Sequence, residues 1–254
     1  MTSLEVIALN GLPLVKAGDD LADMIAASLK QNGVEPRAQD VLVVAQKIVS
    51  KAEGRMVDLA TIKPSAQAIV LATEVDKDPR LVEVILSESV RVVRARRNVL
   101  IVEHRLGFIM ANAGVDQSNV APADGAPRAL LLPENPDRSA AALRDRLAAL
   151  TGTDLAVVIN DSFGRAWRQG TAGVAIGVAG LPALIDLRGR PDLFGRKLEV
   201  SVIGFADEIA AAASLVMGQA DEAAPVALIR GLRWSAPESM AASIIRPSNE
   251  DLFR

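Results

Sequence analysis

Cysteine is absent from this chain, and histidine occurs only once, as His104. The lack of cysteine excludes disulfides, thiolate zinc sites and a cysteine nucleophile. A single histidine argues against a histidine-rich metal centre and against a Ser-His-Asp triad, and we interpret His104 as structural. Any metal would therefore be held mainly by oxygen atoms, which favours magnesium, manganese or calcium.

Aromatic residues make up only 3% of the chain, so few side chains can stack on bases. No apolar run approaches the roughly 18 residues of a membrane-spanning helix, which predicts a soluble, cytoplasmic protein. The net charge of -3 comes without a basic stripe and argues against a nucleic-acid polymer as partner. A Walker A motif is also missing, as is a GxGxxG motif after the first predicted strand.

Half of the 254 residues are hydrophobic, which is enough for one large domain or two modest ones. Valine-rich strand patterns alternate along the chain with amphipathic and alanine-rich helical patterns. This alternation taken alone favours a doubly wound α/β sheet.

The most informative stretch is LAVVINDSFGRAWRQG at residues 155–170. Its apolar start predicts a buried strand that presents Asp161 and Ser162 at its carboxyl end, followed by a loop with Arg165 and Arg168. A carboxylate beside a hydroxyl can share a hard cation, and guanidinium groups suit phosphate or carboxylate oxygens. The alternative is a helix N-cap at Asp161 or Ser162 with two solvated arginines.

Two further stretches carry polar groups next to predicted strands. Lys47 and Lys51 follow the apolar run at 41–44 and lie four residues apart, so on a helix they would point the same way and could neutralise a polyphosphate. A solvated helix face would explain the pair equally well. Asp116, Ser118 and Asn119 follow a small-residue turn and could ligate a metal or hydrogen-bond a nucleoside, although an Asx-turn has the same composition.

The remaining patterns concern glycine. Residues 206–217 predict a helix that ends at Gly218, and Gln219, Asp221 and Glu222 follow as groups able to contact metal, ribose or base. The glycines at 170, 173, 177 and 180 suit close packing against another backbone or a subunit more than a phosphate loop.

Several of these stretches, in the same order, closely resemble the coenzyme F420-0:L-glutamate ligase family, the gamma-glutamyl ligases of deazaflavin biosynthesis, in stand-alone form. They are GLP at 11–13, VLVVAQKIVSKAEGR at 41–55, NAGVDQSNV at 112–120, DSFGRAWRQG at 161–170, GVAIGVAG at 173–180, DLFGR at 192–196 and VMGQADE at 216–222. The resemblance extends from about residue 5 to residue 233. It implies a ligase domain at 1–233 with a C-terminal tail at 234–254, and an α+β mixed-sheet fold with two subdomains and an intertwined dimer.

The resemblance also implies two divalent ions, Mg²⁺ or Mn²⁺, with GTP as cosubstrate and K⁺ as a further candidate ion. The matching metal positions are Asp116, Asp161, Ser162 and Gln219. The matching nucleotide positions are Leu12, Pro13, Leu14, Val15, Gln46, Lys47, Lys51, Asn119, Met217, Gly218, Gln219, Ala220, Asp221, Glu222, Ala223 and Ala224. Arg165, Arg168 and Lys51 are the expected catalytic residues, with the arginines assigned by their chemistry. Ser162 stands where threonine is common, and Gln219 where some members carry glutamate.

The implied reaction transfers the γ-phosphoryl group of GTP to a carboxylate of F420-0, and L-glutamate then displaces phosphate to form an amide. Such chemistry needs charge neutralisation more than a protein nucleophile, which suits this composition. The alternatives are a related metal- and GTP-dependent amide ligase with another carboxylate acceptor, or a non-catalytic nucleotide-binding homologue. The presence of both Asp116 and Asp161 favours an enzyme.

Overall fold

A computed structural model describes residues 3–118 and 127–251. The helices are α1 Leu21–Gln31, α2 Gln46–Ala52, α3 Ala66–Val75, α4 Pro79–Ser87, α5 Pro136–Thr151 and α6 Phe205–Met217. The strands are β1 Glu5–Leu9, β2 Val41–Ala45, β3 Met56–Asp58, β4 Ser89–Arg96, β5 Val99–His104, β6 Ile109–Ala111, β7 Arg128–Leu130, β8 Ala156–Arg165, β9 Arg168–Ala179, β10 Ile185–Asp186, β11 Val202–Ile203 and β12 Val226–Arg230. None of the described helices is long and apolar enough to cross a membrane.

The central sheet has the strand order β1-β12-β2-β8-β9 and is mixed. Only β2 and β8 run parallel, while β12 inserts antiparallel between β1 and β2, and β9 returns from β8 as a hairpin. The doubly wound sheet that the strand and helix alternation favours is therefore wrong. The α+β class with a mixed sheet is confirmed.

Both faces of this sheet are buried, which explains why its inner strands are apolar at successive positions. Leu42 and Val44 of β2 pack into a cluster with α1 and α5. Val41 and Val43 pack on the opposite face against α6. The sheet is thus the middle layer between helices, and polar chemistry is restricted to the strand ends.

A separate apolar cluster lies around the β4-β5-β6 sheet and helices α3 and α4, and Ala129 and Leu131 also belong to it. Strands β3 and β7 pair antiparallel and connect it to the rest of the chain. His104 is completely buried in this part, and its Nδ1 accepts a hydrogen bond from the backbone N–H of Leu106. This position agrees with the structural role predicted for it.

The structure corrects the local prediction for residues 161–168. Strand β8 does not end before Asp161 but continues to Arg165, and Arg165 pairs with Arg168 across a tight hairpin. The helix N-cap alternative is wrong, because Asp161 and Ser162 lie inside a strand. An antiparallel partner extends β8 beyond the point where its parallel neighbour β2 ends, and the sequence of β8 alone does not reveal that partner.

The prediction of close packing is confirmed within the chain for Gly173 and Gly177 of β9, but not for Gly170, where a Cβ atom would lie no closer than 3.8 Å to Arg165 Nη2. A Cβ atom on Gly173 would lie 2.4 Å from the carbonyl oxygen of Ala210 in α6. A Cβ atom on Gly177 would lie 2.3 Å from the carbonyl oxygen of Pro136 at the start of α5. These two glycines let helices on opposite faces of the sheet contact β9 directly.

Part of the C-terminal tail packs against the face of the sheet that α6 covers. The rings of Trp234 and Phe205 lie 6.1 Å apart, and Ala241 is fully buried. Asp137 of α5 accepts hydrogen bonds from the backbone N–H groups of Ala241 and Val178, which joins the tail to β9.

Candidate active site

A cleft of about 580 Å³ opens where several strands of the central sheet end. It lies beyond the carboxyl ends of β1 and β2 and the start of β12, since Val226 pairs with both Leu9 and Val44. Because β8 continues past this line, Asp161 and Ser162 project into its wall. A volume of this size is typical of small-molecule sites.

The cleft brings together residues that are far apart in the sequence. The predicted site residues that line it are Leu12, Pro13, Leu14, Val15, Gln46, Lys47, Lys51, Asp161, Ser162, Met217, Gly218, Gln219, Ala220, Asp221, Glu222, Ala223 and Ala224. Asp116 is next to the cleft through its ion pair with Lys47. Asn119 lies outside the described residues. Arg165 and Arg168 are at the hairpin tip and do not belong to the lining, and Arg165 Nη2 donates to the carbonyl oxygen of Gln169.

Asp116 is held by a dense set of hydrogen bonds. Lys47 Nζ lies 2.7 Å from its Oδ2, and the backbone N–H of Ser118 donates to its Oδ1 at 2.7 Å. The hydroxyl of Ser118 donates to Oδ2 as well. Burial raises the pKa of Asp116, but the bonds from Lys47 and Ser118 outweigh burial and hold the pKa below its ordinary value. Asp116 is therefore a fixed carboxylate.

The pKa of Asp161 is shifted in the opposite direction from that of Asp116. Burial raises its pKa to about 7, and the negative charge of Asp116 adds to the increase. The backbone N–H of Ser162, which donates to Oδ1 at 2.8 Å, and the charge of Lys47 only partly offset these effects. A second positive charge beside Asp161 would stabilise its ionised form.

The residues present fit a hard divalent cation. Asp116 and Asp161 supply carboxylate oxygens, Ser162 supplies a hydroxyl and Gln219 an amide oxygen, which are the donor types that Mg²⁺ and Mn²⁺ bind. Among the described residues, the carboxylate of Asp161 accepts a hydrogen bond only from the backbone N–H of Ser162, so a cation beside it would compensate its charge. The described residues contain no cluster of three or more acidic or histidine ligands, so a cation here would complete its shell with neutral oxygens or phosphates.

Two lysines and the backbone loop at 217–224 line the same cleft. Burial lowers the pKa of Lys51, and the neighbouring charge of Lys47 lowers it further. The loop at 217–224 folds around the carboxylate of Glu222, which accepts a hydrogen bond from the N–H of Ala220 at 2.8 Å. Hydrogen bonds from backbone N–H groups lower the pKa of Glu222, and the bond from Ala220 has the largest effect. Gly218 has φ +69° and ψ −176°, a backbone conformation that residues with a Cβ atom rarely adopt, so glycine is favoured there.

Sequence reasoning missed two polar residues of the lining, Asn160 and Ser214. Asn160 Nδ2 donates to Ser214 Oγ at 3.1 Å, and Ser214 Oγ donates to the carbonyl oxygen of Ala210. Asn160 sits in an otherwise apolar strand directly before Asp161, and this break in the apolar pattern was the available signal. Ser214 lies in a continuous helical pattern, so nothing in the sequence distinguishes it.

The mixed sheet, the cleft at its strand ends and the oxygen and lysine groups around it define the class of this protein. The chain matches the family described as F420-0:Gamma-glutamyl ligase over residues 11–231, which is most of its length. It belongs to this family and is a ligase.

Archaeal relatives match along the full chain. The sequence is 46% identical over 253 residues to a coenzyme F420:L-glutamate ligase from Methanothermobacter thermautotrophicus, covering 99% of each protein. It is 45% identical to the protein of the same name from Methanopyrus kandleri, covering all of both chains. The corresponding Archaeoglobus fulgidus protein is 42% identical and is covered over 96% of its length.

Proposed function

We propose that this protein is a GTP-dependent ligase that adds L-glutamate to coenzyme F420-0 through gamma-glutamyl amide bonds. The names of its relatives support the acceptor and the amino acid. The observation that carries the nucleotide assignment is the single cleft that joins Lys47 and Lys51, the Asp161-Ser162 pair and the loop at 217–224. A triphosphate needs positive charge and hydrogen-bond donors, and the ammonium groups of Lys47 and Lys51 in this cleft supply both.

In the proposed reaction, a carboxylate oxygen of F420-0 attacks the γ-phosphorus of GTP, and the bond to the bridging oxygen breaks to release GDP. The glutamate amine then attacks the acyl carbon of this acyl phosphate, loses a proton, and inorganic phosphate leaves with the bonding electron pair. Lys47 and Lys51 neutralise phosphate charge in the first step. The small residues of the loop at 217–224 allow the nucleotide to approach the backbone closely.

Asp116, Asp161, Ser162 and Gln219 would hold the divalent ions, Mg²⁺ or Mn²⁺. Bound there, the ions would neutralise the phosphate oxygens and polarise the phosphorus centre. Gln219 Oε1 already accepts a hydrogen bond from the hydroxyl of Thr171 at 3.0 Å, which fixes the side chain on this side of the cleft. We assign Arg165 and Arg168, at the hairpin tip, to a carboxylate of acceptor or glutamate that extends beyond the cleft, because guanidinium groups suit carboxylate oxygens.

We also propose a homodimer, in which an arm at 187–201 packs against a second copy. The arm is a hydrogen-bonded hairpin in which Leu198 N–H donates to the carbonyl oxygen of Arg190. At its tip Leu193 and Phe194 are 99% and 96% exposed, which is unusual for apolar side chains of an ordered hairpin. Phe194→Asp should shift the sedimentation coefficient towards that of a monomer; an unchanged value would reject this arrangement.

The reaction is tested by measuring GDP release from the purified protein with GTP, Mn²⁺ or Mg²⁺, F420-0 and L-glutamate, with product mass read in parallel. Release that needs both acceptor and glutamate, with product mass rising by glutamyl increments, is the expected result. ATP in place of GTP is the nucleotide control. GDP release independent of F420-0, or product without GTP consumption, would contradict the proposal.

A further inference from the structure

Lys47 is bonded in this structure to the carboxylate that the proposed cation site needs. Its Nζ lies 2.7 Å from Asp116 Oδ2 and 2.7 Å from Ser118 Oγ. Mg²⁺ binds oxygen ligands at about 2.0–2.1 Å. An ammonium group and a divalent ion on the same carboxylate oxygen would repel each other strongly, so Lys47 has to leave Oδ2 before a cation can bind there.

The side chain has the freedom to make this exchange. Lys47 is the second residue of α2, its side chain is 28% exposed, and it lines the cleft. A lysine stem has four rotatable bonds, so its ammonium can move without any change in the backbone. Asp116, in contrast, is fixed by two hydrogen bonds from Ser118 and by a backbone bridge to Leu130, so its carboxylate stays in place.

The charges around the cleft make the exchange depend on the nucleotide. Lys47 and Lys51 are one helical turn apart, and burial together with the charge of Lys47 lowers the pKa of Lys51. A divalent ion arriving alone would leave both ammonium groups beside new positive charge. A triphosphate arriving with the ion supplies the anionic oxygens to which Lys47 can move.

We infer that Lys47 is an exchangeable placeholder that occupies Asp116 until nucleotide binds and then transfers to a phosphate, so that it couples cation binding to nucleotide binding. The inference rests on the proposed cation site at Asp116. According to this inference, Lys47 has two opposite effects on cation binding. Without nucleotide it competes with the cation for Asp116, and with nucleotide it stabilises the complex of protein, cation and nucleotide. A residue that only contacts phosphate would have the second effect alone.

The test measures Mn²⁺ binding to the full-length protein without nucleotide, from the electron paramagnetic resonance signal of free Mn²⁺. Lys47→Met, which keeps the length of the side chain and removes its charge, should bind Mn²⁺ about 10- to 100-fold more tightly than wild type, the range for one charge-assisted hydrogen bond. Lys51→Met is the matched control, because it removes an equal charge from the same helix. The Mn²⁺ affinity of Lys51→Met should rise only about two- to fivefold.

The same titrations are repeated with a non-hydrolysable GTP analogue. Wild type should bind Mn²⁺ more tightly when the analogue is present, and this enhancement should be smaller in Lys47→Met. Equal Mn²⁺ affinity without nucleotide in wild type and Lys47→Met, or equal gains in the two methionine variants, would overturn the inference. Thermal unfolding of each variant verifies that the compared proteins are folded.

Asp116→Asn separates this inference from the proposed function. Loss of Mn²⁺ binding in Asp116→Asn with no gain in Lys47→Met would reject the placeholder and leave the cation site intact. Unchanged Mn²⁺ binding in Asp116→Asn would reject the cation assignment, and the role of Lys47 with it.

Discussion

Glu88 offers a quantitative test of how the apolar cluster around the β4-β5-β6 sheet is attached to α2, the helix that carries Lys47 and Lys51. It follows α4 and is 9% exposed, and both of its carboxylate oxygens lie 3.1 Å from Arg55 Nη2. Arg55 lies just beyond α2, and its Nε donates to the carbonyl oxygen of Leu132. Arg105 Nε donates to Glu88 at 3.0 Å, and His104 Nε2 lies 3.5 Å away.

The contribution of this cluster to stability can be calculated from the pKa of Glu88. Burial raises that pKa, but the contacts with His104, Arg105 and Arg55 outweigh it and lower the pKa from 4.5 to about 2. A difference of this size corresponds to roughly 3 kcal/mol of folding free energy at neutral pH. Because the folded-state pKa is the lower one, this stabilisation is present above about pH 4.5 and is lost as pH falls towards 2.

The assay is urea unfolding of wild type and Glu88→Gln between pH 7 and pH 3. At pH 7 the substitution should cost about 3–5 kcal/mol, because it also leaves the partly buried Arg55 without its counter-charge. The difference between the two proteins should shrink by about 2 kcal/mol by pH 3, as the wild-type carboxylate loses its advantage. A difference that stays constant across this range would refute the assignment of a depressed pKa to Glu88.

Three further predictions concern the cleft and its support. Asp161→Asn should abolish GTP-dependent ligation while leaving the thermal unfolding temperature equal or higher, because it removes a poorly compensated buried carboxylate; retained turnover would remove Asp161 from the site. Gly173→Ala should destabilise the protein by about 1–3 kcal/mol in urea unfolding, since its Cβ would lie 2.4 Å from the carbonyl oxygen of Ala210. Gly164→Ala, which meets no atom within 4 Å, is its control and should change stability by less than about 0.5 kcal/mol. Arg168→Ala should raise KM for glutamate or acceptor about tenfold or more, with unchanged GTP binding by calorimetry; an equal loss of GTP binding would place this guanidinium at the nucleotide instead.

Local features of the site could be predicted from sequence where short-range physics is sufficient. The helix from Phe205 to Met217 and its end at Gly218 follow from apolar periodicity and a glycine cap, and the prediction was correct to one residue. The two lysines of α2 lie on one helical turn, as their spacing indicates. Asp161 and Ser162 stand out as polar residues after an apolar run, although the strand does not end there.

The path of β8 depends on a partner that the local sequence does not contain. Read alone, the apolar run from Leu155 to Ile159 ends where polar residues begin. The hairpin with β9 satisfies the backbone of the following residues and carries the strand on to Arg165. Gly173 and Gly177, whose missing side chains let α6 and α5 approach β9, allow helices to cover this strand closely. That close packing was predictable from the glycines, but the pairing of β9 with β8 was not.

Composition, periodicity and the order of the motifs establish the class of this protein: hard-oxygen and lysine chemistry without cysteine, on alternating strands and helices. These properties depend on residue type and on neighbours within a few positions, so the amino-acid sequence contains them. Only the tertiary structure decides the order of the strands. It also decides the parallel pairing of β2 with β8 and the contact of Lys47 with Asp116. They join residues tens of positions apart, and the free energy that selects those pairings comes from burying both faces of the central sheet.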